Sequence, residues 1–354
     1  MGWSVTVLKS SRAEAACLKS KAMSEMTKTE KQNVAEADKL PFNPLRQELY
    51  TPQELYAGFS PGDQESYVKV PDARIYAHYV ATGRGQPESP YVGMMQSLHD
   101  HSIYRTMEGF IKGRELAGIM GGHKLQRSSE EYRKVAHLAL KLAKKGFVVC
   151  SGGGPGAMEA SHLGASASGL GEVGLDKIIE RLARTPALPK GLMNLISDAG
   201  TYHKSFGREV HGWLAPAWEA ARELFRGKPA ESLAVPTWHY GHEPFSPFPT
   251  HVAKLFQNSI REEGLLAIAN RGVVFAPGTA GTVQEIFQDA CQNYYRSFGA
   301  FTPMVLFVKR YWEEEYPVLP VLKKLFSKEE YDRFVLVTDG VEEAAEFIEK
   351  TKPN

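Results

Sequence analysis

The chain has 354 residues, 43% of them hydrophobic, enough for one large core or two ordinary ones. A balance of 42 basic against 41 acidic residues leaves a formal charge of +1, so no global field favours nucleic acid or an anionic membrane, and any anion must be bound locally. Cys17, Cys150 and Cys291 lack CxxC spacing, and no apolar run approaches the ~20 residues of a membrane span, so a reducing cytoplasm is the expected compartment.

Residues 1–40 are polar and rich in Lys, Glu and Ala, with no apolar signal core; their composition predicts a disordered tail. Met23 and Met26 are possible alternative starts, and the basic excess of the first 22 residues weakly resembles a transit peptide. Residues 41–110 hold turn-rich stretches, "GFSPGDQ" and "GRGQPESP", followed by a helical "YVGMMQSLHDHSIYRTMEGFIKG". They read as an N-terminal elaboration packed on a main domain at 111–354.

From Glu115 the pattern changes. "ELAGIMGG" predicts a strand, "SSEEYRKVAHLALKLAKKG" an amphipathic helix capped by Ser128 or Ser129, "FVVCSGGG" a second strand with Cys150 buried, and "PGAMEASHLGASAS" the next helix. An insertion at about 170–230 interrupts the rhythm with two helical segments, "LDKIIERLART" and "GWLAPAWEAARELFRG". "SLAVPTW" then returns as a strand, and "THVAKLFQNSIREEGLLAIANRG" reads as one long helix. Next come strand "VVFAPGTAG", helix "TVQEIFQDACQNYY", strand "PMVLFVKRYW", a helix around 312–326, strand "RFVLVTD" and helix "VEEAAEFIEK". Short Val/Ile/Leu-rich strands alternating with helices predict a doubly wound, parallel Rossmann-like α/β sheet with helices on both faces.

Two glycine turns stand directly between a strand and a helix: "SGGGPGAMEA" at 151–160 and "APGTAGTVQEIFQ" at 276–288. A lone turn of this kind reads first as a tight strand-to-helix connection. Two at the carboxyl ends of one sheet, each opening a helix N-terminus, point to a mononucleotide site, because glycines admit backbone N–H groups close to a phosphate. Neither turn is a P-loop, since GxxxxGK[ST] is absent, and the dinucleotide fingerprint is met only loosely.

These residues resemble the LOG ("Lonely Guy") family of nucleoside 5′-monophosphate phosphoribohydrolases, often mislabelled lysine decarboxylases. The family's GGGxxGxM is matched by Gly152, Gly153, Gly154, Gly156 and Met158. Its PGGxGTxxE is matched by "PGTAGTVQE", 277–285, with Gly278, Gly281, Thr282 and Glu285 in place. Arg261 in "NSIREEG" matches the family arginine, one residue further from the second motif than usual. The second glycine of PGG is replaced by Thr279; a need for positive φ there would distort the turn. The resemblance covers roughly residues 115–340 and excludes the insertion and the N-terminal extension.

The resemblance implies hydrolysis of the N-glycosidic bond of a nucleoside 5′-monophosphate, by a homodimer or a multiple of it, with no metal or organic cofactor. Glu285, ionised at neutral pH with help from Arg261 or the helix dipole, would stabilise charge on the ribose. Both glycine turns, with Thr279 and Thr282, would hold the phosphate. Met158, matched by the motif, reads more as core packing. The loop after the first strand, with Gly122, Lys124 and Arg127, and "WHYGHEP", with His239, His242 and Glu243, are further candidates for contact with phosphate, sugar or base. "YHKSFGRE" at 202–209 has no assigned role beyond a possible lid. Glu285 taken alone reads first as an ordinary first-turn acid, and Arg261 as a surface arginine; the motif shifts Glu285 towards function. A non-catalytic nucleotide sensor is the alternative function; a pyridoxal-phosphate decarboxylase would need a Schiff-base lysine, which neither glycine motif contains.

Overall fold

Seven short apolar segments form one all-parallel sheet in a computed structural model that describes residues 40–354. The expected tail, Met23, Met26 and Cys17 lie outside the described residues. Helices α1 (Pro52–Leu55), α2 (Pro71–Ala81) and α3 (Pro90–Ile111) precede β1 (Leu116–Met120). Then come α4 (Glu130–Lys144), β2 (Val148–Ser151) and α5 (Ala157–Ser166). The insertion supplies α6 (Gly171–Leu182) and α7 (Lys204–Leu224). Strands β3 (Ser232–Ala234) and β4 (His251–Val252), helix α8 (Asn258–Ile268), strand β5 (Val273–Phe275) and helix α9 (Ala280–Tyr295) follow. Strand β6 (Met304–Phe307), helices α10 (Leu319–Leu325) and α11 (Lys328–Phe334), strand β7 (Val335–Thr338) and helix α12 (Val341–Lys350) end the chain.

The strand order is β4-β3-β2-β1-β5-β6-β7. Every residue of β1, β2, β3, β5 and β6 is buried, as expected of strands covered on both faces, while the edge strands β4 and β7 are partly exposed. Helix α4 forms as its sequence dictates. Ser129 Oγ accepts the Tyr132 N–H at 3.1 Å, Glu130 and Glu131 occupy the first turn, and Lys141 and Lys144 the last. Its apolar stripe, including Val135, Leu138 and Leu142, joins Leu163 of α5 and Ile348 of α12 in the core. Cys150 is buried, and burial pushes its thiol up to about 12.

One element departs from expectation. The long helix read across 250–272 is instead strand β4, an irregular 253–257 and a shorter α8. Tertiary partners outcompete helix propensity there. Ala253 N–H donates to Ala234 at 2.8 Å, Leu255 N–H to Pro236 at 3.0 Å, and Asp100 takes the N–H groups of Phe256 and Gln257. The helix expected around 312–326 is also divided, into a wide turn at Tyr311–Glu315 and α10. Among the described residues no helix is long and apolar enough to cross a membrane.

Candidate functional site

The sheet order reverses between β1 and β5, so the loops leaving β1, β2 and β5 meet at one carboxyl edge. Gly122, after β1, joins the other two. Its N–H donates to Pro277 O at 2.9 Å, and its carbonyl accepts the Ala157 N–H at 3.1 Å. The two glycine turns therefore flank a single strand-end loop.

The turns differ in kind. In the first, Gly156 has φ +71°, and a Cβ there would sit 2.3 Å from Gly122 O, so only glycine fits. The first amide of α5 is spent on Gly122, and Gly153 O accepts the Ser246 N–H at 2.7 Å. Gly152 and Gly154 make room for the Met158 thioether, whose atoms lie 2.7 and 2.8 Å from where their Cβ atoms would be. In the second turn Thr279, Ala280 and Gly281, at the start of α9, are exposed, and a Cβ on Gly281 would meet nothing within 4 Å. Thr279 has φ −95°, so the departure from the family pattern brings no left-handed strain. Thr282 is buried, against Gly278. A hollow of ≈ 200 Å³ lies over this turn, lined by Gly122, Lys124, Gly278, Thr279 and Tyr311; the Tyr311 hydroxyl donates to Gly278 O at 2.8 Å. Of the two turns, the second has the open anion-binding geometry.

Arg261 on α8 and Glu285 on α9 form a pair: Arg261 Nη1 lies 3.5 Å from Glu285 Oε1, with side chains 12% and 13% exposed. Arg261 Nη1 is also 3.8 Å from the position a Gly152 Cβ would take, so the pair stands next to the first turn while Glu285 rides on the helix of the second. Burial pushes the Glu285 carboxyl up to about 7; Arg261 opposes this, and Glu262 adds to it. The expectation of a fully ionised Glu285 at neutral pH is thus corrected, because desolvation outweighs one loosely placed guanidinium. One turn further along α9, Asp289 is buried with Oδ2 lacking a hydrogen-bond partner among the described residues, and burial pushes it up to about 8. The Arg261 Nε is likewise buried without a partner among them.

Arg127 does not reach the crevice as a free cation. It is buried in a double hydrogen bond to Glu159 (2.7 Å each), reinforced by Tyr132 and the Trp213 carbonyl. Lys124 is exposed, as is His239. His242 and Glu243 border a cavity of ≈ 610 Å³ whose far wall is the insertion, through residues 186–193 and Trp213. Burial pushes the Glu243 carboxyl up to about 7, opposed by Lys124, and holds His242 below its ordinary value. Glu243 also borders a small hollow of ≈ 50 Å³ with Gly152, Gly154, Thr237, Lys254 and Arg261. The 202–209 segment starts α7. Sequence reading missed Tyr311, which lies in no motif, and Lys254, whose segment read as helix.

No protein-family model and no curated protein matches the chain. Among solved structures it is similar to TM1055 (19% identity, TM-score 0.40), over 67% of this chain and 99% of that one. It is also similar to a molybdenum cofactor binding protein from the phototrophic bacterium Rippkaea orientalis (12%, TM-score 0.37), over 67% and 97% of the two chains. A Moco carrier protein from Chlamydomonas reinhardtii is similar at 14% identity and TM-score 0.39, over 67% and 97%.

Proposed function

We propose that the chain hydrolyses the N-glycosidic bond of a nucleoside 5′-monophosphate to a free base and ribose 5-phosphate. The observation that carries this reading is the Arg261–Glu285 pair, set between the packed first turn and the open start of α9. Phosphate on the α9 amides fixes the ribose, so binding far from the scissile bond positions it. Glu285, as carboxylate, stabilises the oxocarbenium-like ribose and orients water. The water oxygen bonds to C1′, the C1′–N bond breaks, its electron pair leaves with the base, and the water proton ends on the base. Arg261 holds Glu285 in place and favours its ionised form.

The test is incubation of the pure protein with AMP, IMP, GMP, CMP and UMP and chromatographic detection of free base. Release from any of them sustains the reading. Binding without release from all five supports a nucleotide sensor instead, a reading favoured by the burial that pushes the Glu285 carboxyl up to about 7.

A further inference from the structure

Lys254 is 1% exposed and sits in the segment between β4 and α8. Its Nζ donates to Asp72 Oδ1 at 2.7 Å, and the same oxygen accepts the Trp238 Nε1–H at 2.8 Å. An ammonium has three N–H donors and no acceptor. Asp72 is the one hydrogen-bond acceptor Lys254 meets among the described residues; Nζ otherwise lies 5.3 Å and 4.9 Å from the Trp238 and Phe245 ring centroids, so its two other N–H groups face π surface and have no oxygen or nitrogen acceptor. A ring face is a weaker partner than an acceptor atom, and Lys254 borders the ≈ 50 Å³ hollow at the first glycine turn. Arg261, another donor-only group, borders the same hollow.

We infer that Lys254 reads the base, selecting nucleotides whose base presents an exocyclic oxygen (6-oxopurines and 4-oxopyrimidines) over those presenting an amino group. This rests on the hydrolase reading for its catalytic part only. A carbonyl oxygen meets the free ammonium donors, whereas an exocyclic NH₂ opposes donor to donor. Glu243 borders both the hollow and the ≈ 610 Å³ cavity, and the assignment places the ring in the larger space with its oxygen edge turned towards the hollow. As the C1′–N bond breaks, the electron pair received by an oxo base spreads onto that oxygen. The fixed ammonium then stabilises the departing base more than the bound nucleotide. Asp72, from the N-terminal elaboration, positions Lys254.

IMP and AMP differ only along this edge, in the exocyclic group and in the neighbouring ring nitrogen (N1–H in IMP, bare N1 in AMP), as do UMP and CMP at N3. For the parent protein, IMP is expected to bind more tightly than AMP by calorimetry and to be cleaved with kcat/KM higher by about a hundredfold, the scale of one charged hydrogen bond made against one opposed. The double variant Lys254→Met with Asp72→Asn keeps an acceptor for Trp238 and leaves no unpaired buried charge. It should melt cooperatively and treat IMP and AMP alike within about threefold, through loss on IMP. Equal handling of IMP and AMP by the parent, or an undiminished preference in the double variant, overturns the assignment and leaves the hydrolase reading standing. Tighter binding of IMP without cleavage of any nucleotide overturns the hydrolase reading and keeps the assignment.

Discussion

The Asp100 carboxylate accepts the backbone N–H of Gln257 at 2.9 Å, so a residue of α3 fixes the entry to the helix that carries Arg261. It also accepts the Phe256 N–H at 2.9 Å. Asp100→Ala leaves both groups without that acceptor, and a loss of roughly 1–3 kcal/mol in stability is expected by denaturant unfolding. Base release should fall with it, because Arg261 lies only four residues beyond Gln257. Asp100→Asn, which keeps one acceptor oxygen, should be milder in both assays.

Glu285→Gln keeps the shape of the side chain and removes its charge. Base release should drop about a hundredfold or more, the scale of one preorganised electrostatic group, while nucleotide affinity changes much less. In the proposed mechanism the ionised form is the working form, and burial puts the carboxyl at about 7. Turnover by the parent should therefore rise as pH climbs through about 7. A flat profile from pH 6 to 8 with unchanged turnover in the variant would contradict this role.

Asp289 gives a stability prediction with a definite sign. Its carboxyl titrates at about 8 in the fold and near its ordinary 3.8 when unfolded, so the native state binds the proton more tightly. That contribution is complete below the unfolded value and is lost as pH rises through the folded one, at no more than roughly 1.4 kcal/mol per pH unit. Asp289→Asn should match the parent in acid and become progressively more stable than it between about pH 4 and 8. Unfolding midpoints across that range measure the gap; parallel curves would refute it.

The glycines separate into packing and open positions. Gly156→Ala places a Cβ against Gly122 O at positive φ, and should destabilise the fold by at least roughly 1–3 kcal/mol. Gly281→Ala meets nothing within 4 Å, so the melting temperature should hold while a methyl group at the open start of α9 weakens AMP binding. Thr279→Gly should leave turnover nearly unchanged, since φ −95° suits either residue. Melting curves, calorimetric titration and a base-release assay, in that order, check the three outcomes.

Assembly is the remaining expectation. Tyr294, Tyr295 and Phe298, at and just beyond the end of α9, are each more than half exposed. Apolar surface of this kind suits contact with a second copy. Light scattering at micromolar concentration should give twice the 39.3 kDa chain mass, and Tyr295→Glu should shift it towards the monomer. A parent mass near that of one chain would rule the dimer out.

Six of the seven strands and both glycine turns were legible because each depends on local pattern: apolar runs, glycines and a helix start within a dozen residues. Helix α2 was passed over among turn-rich neighbours, although Pro71 and Asp72 occupy its first turn. Residues 253–257 were misread because their fold is dictated by Asp100, Ala234 and Pro236, all far away in sequence. Lys254 was lost with them, and its partner Asp72 lies 182 positions earlier. Arg127 looked available because Glu159, which neutralises it, is 32 residues away on α5. The Glu285 ionisation was misjudged since burial, unlike helix position, cannot be counted from neighbouring letters.

Gly122 donates to one glycine turn and accepts from the other within a single residue. The crevice consequently behaves as a clasp with a riveted hinge: neither turn shifts without pulling on its counterpart through two short backbone bonds. Widening the second turn would drag the packed first turn out of register, so the crevice has little freedom to adapt there. On the proposed function, adjustment to bulkier bases falls to residues 186–193 of the insertion, which line the ≈ 610 Å³ cavity and belong to neither turn. Substitutions that broaden substrate range should therefore accumulate in that wall and spare the glycines.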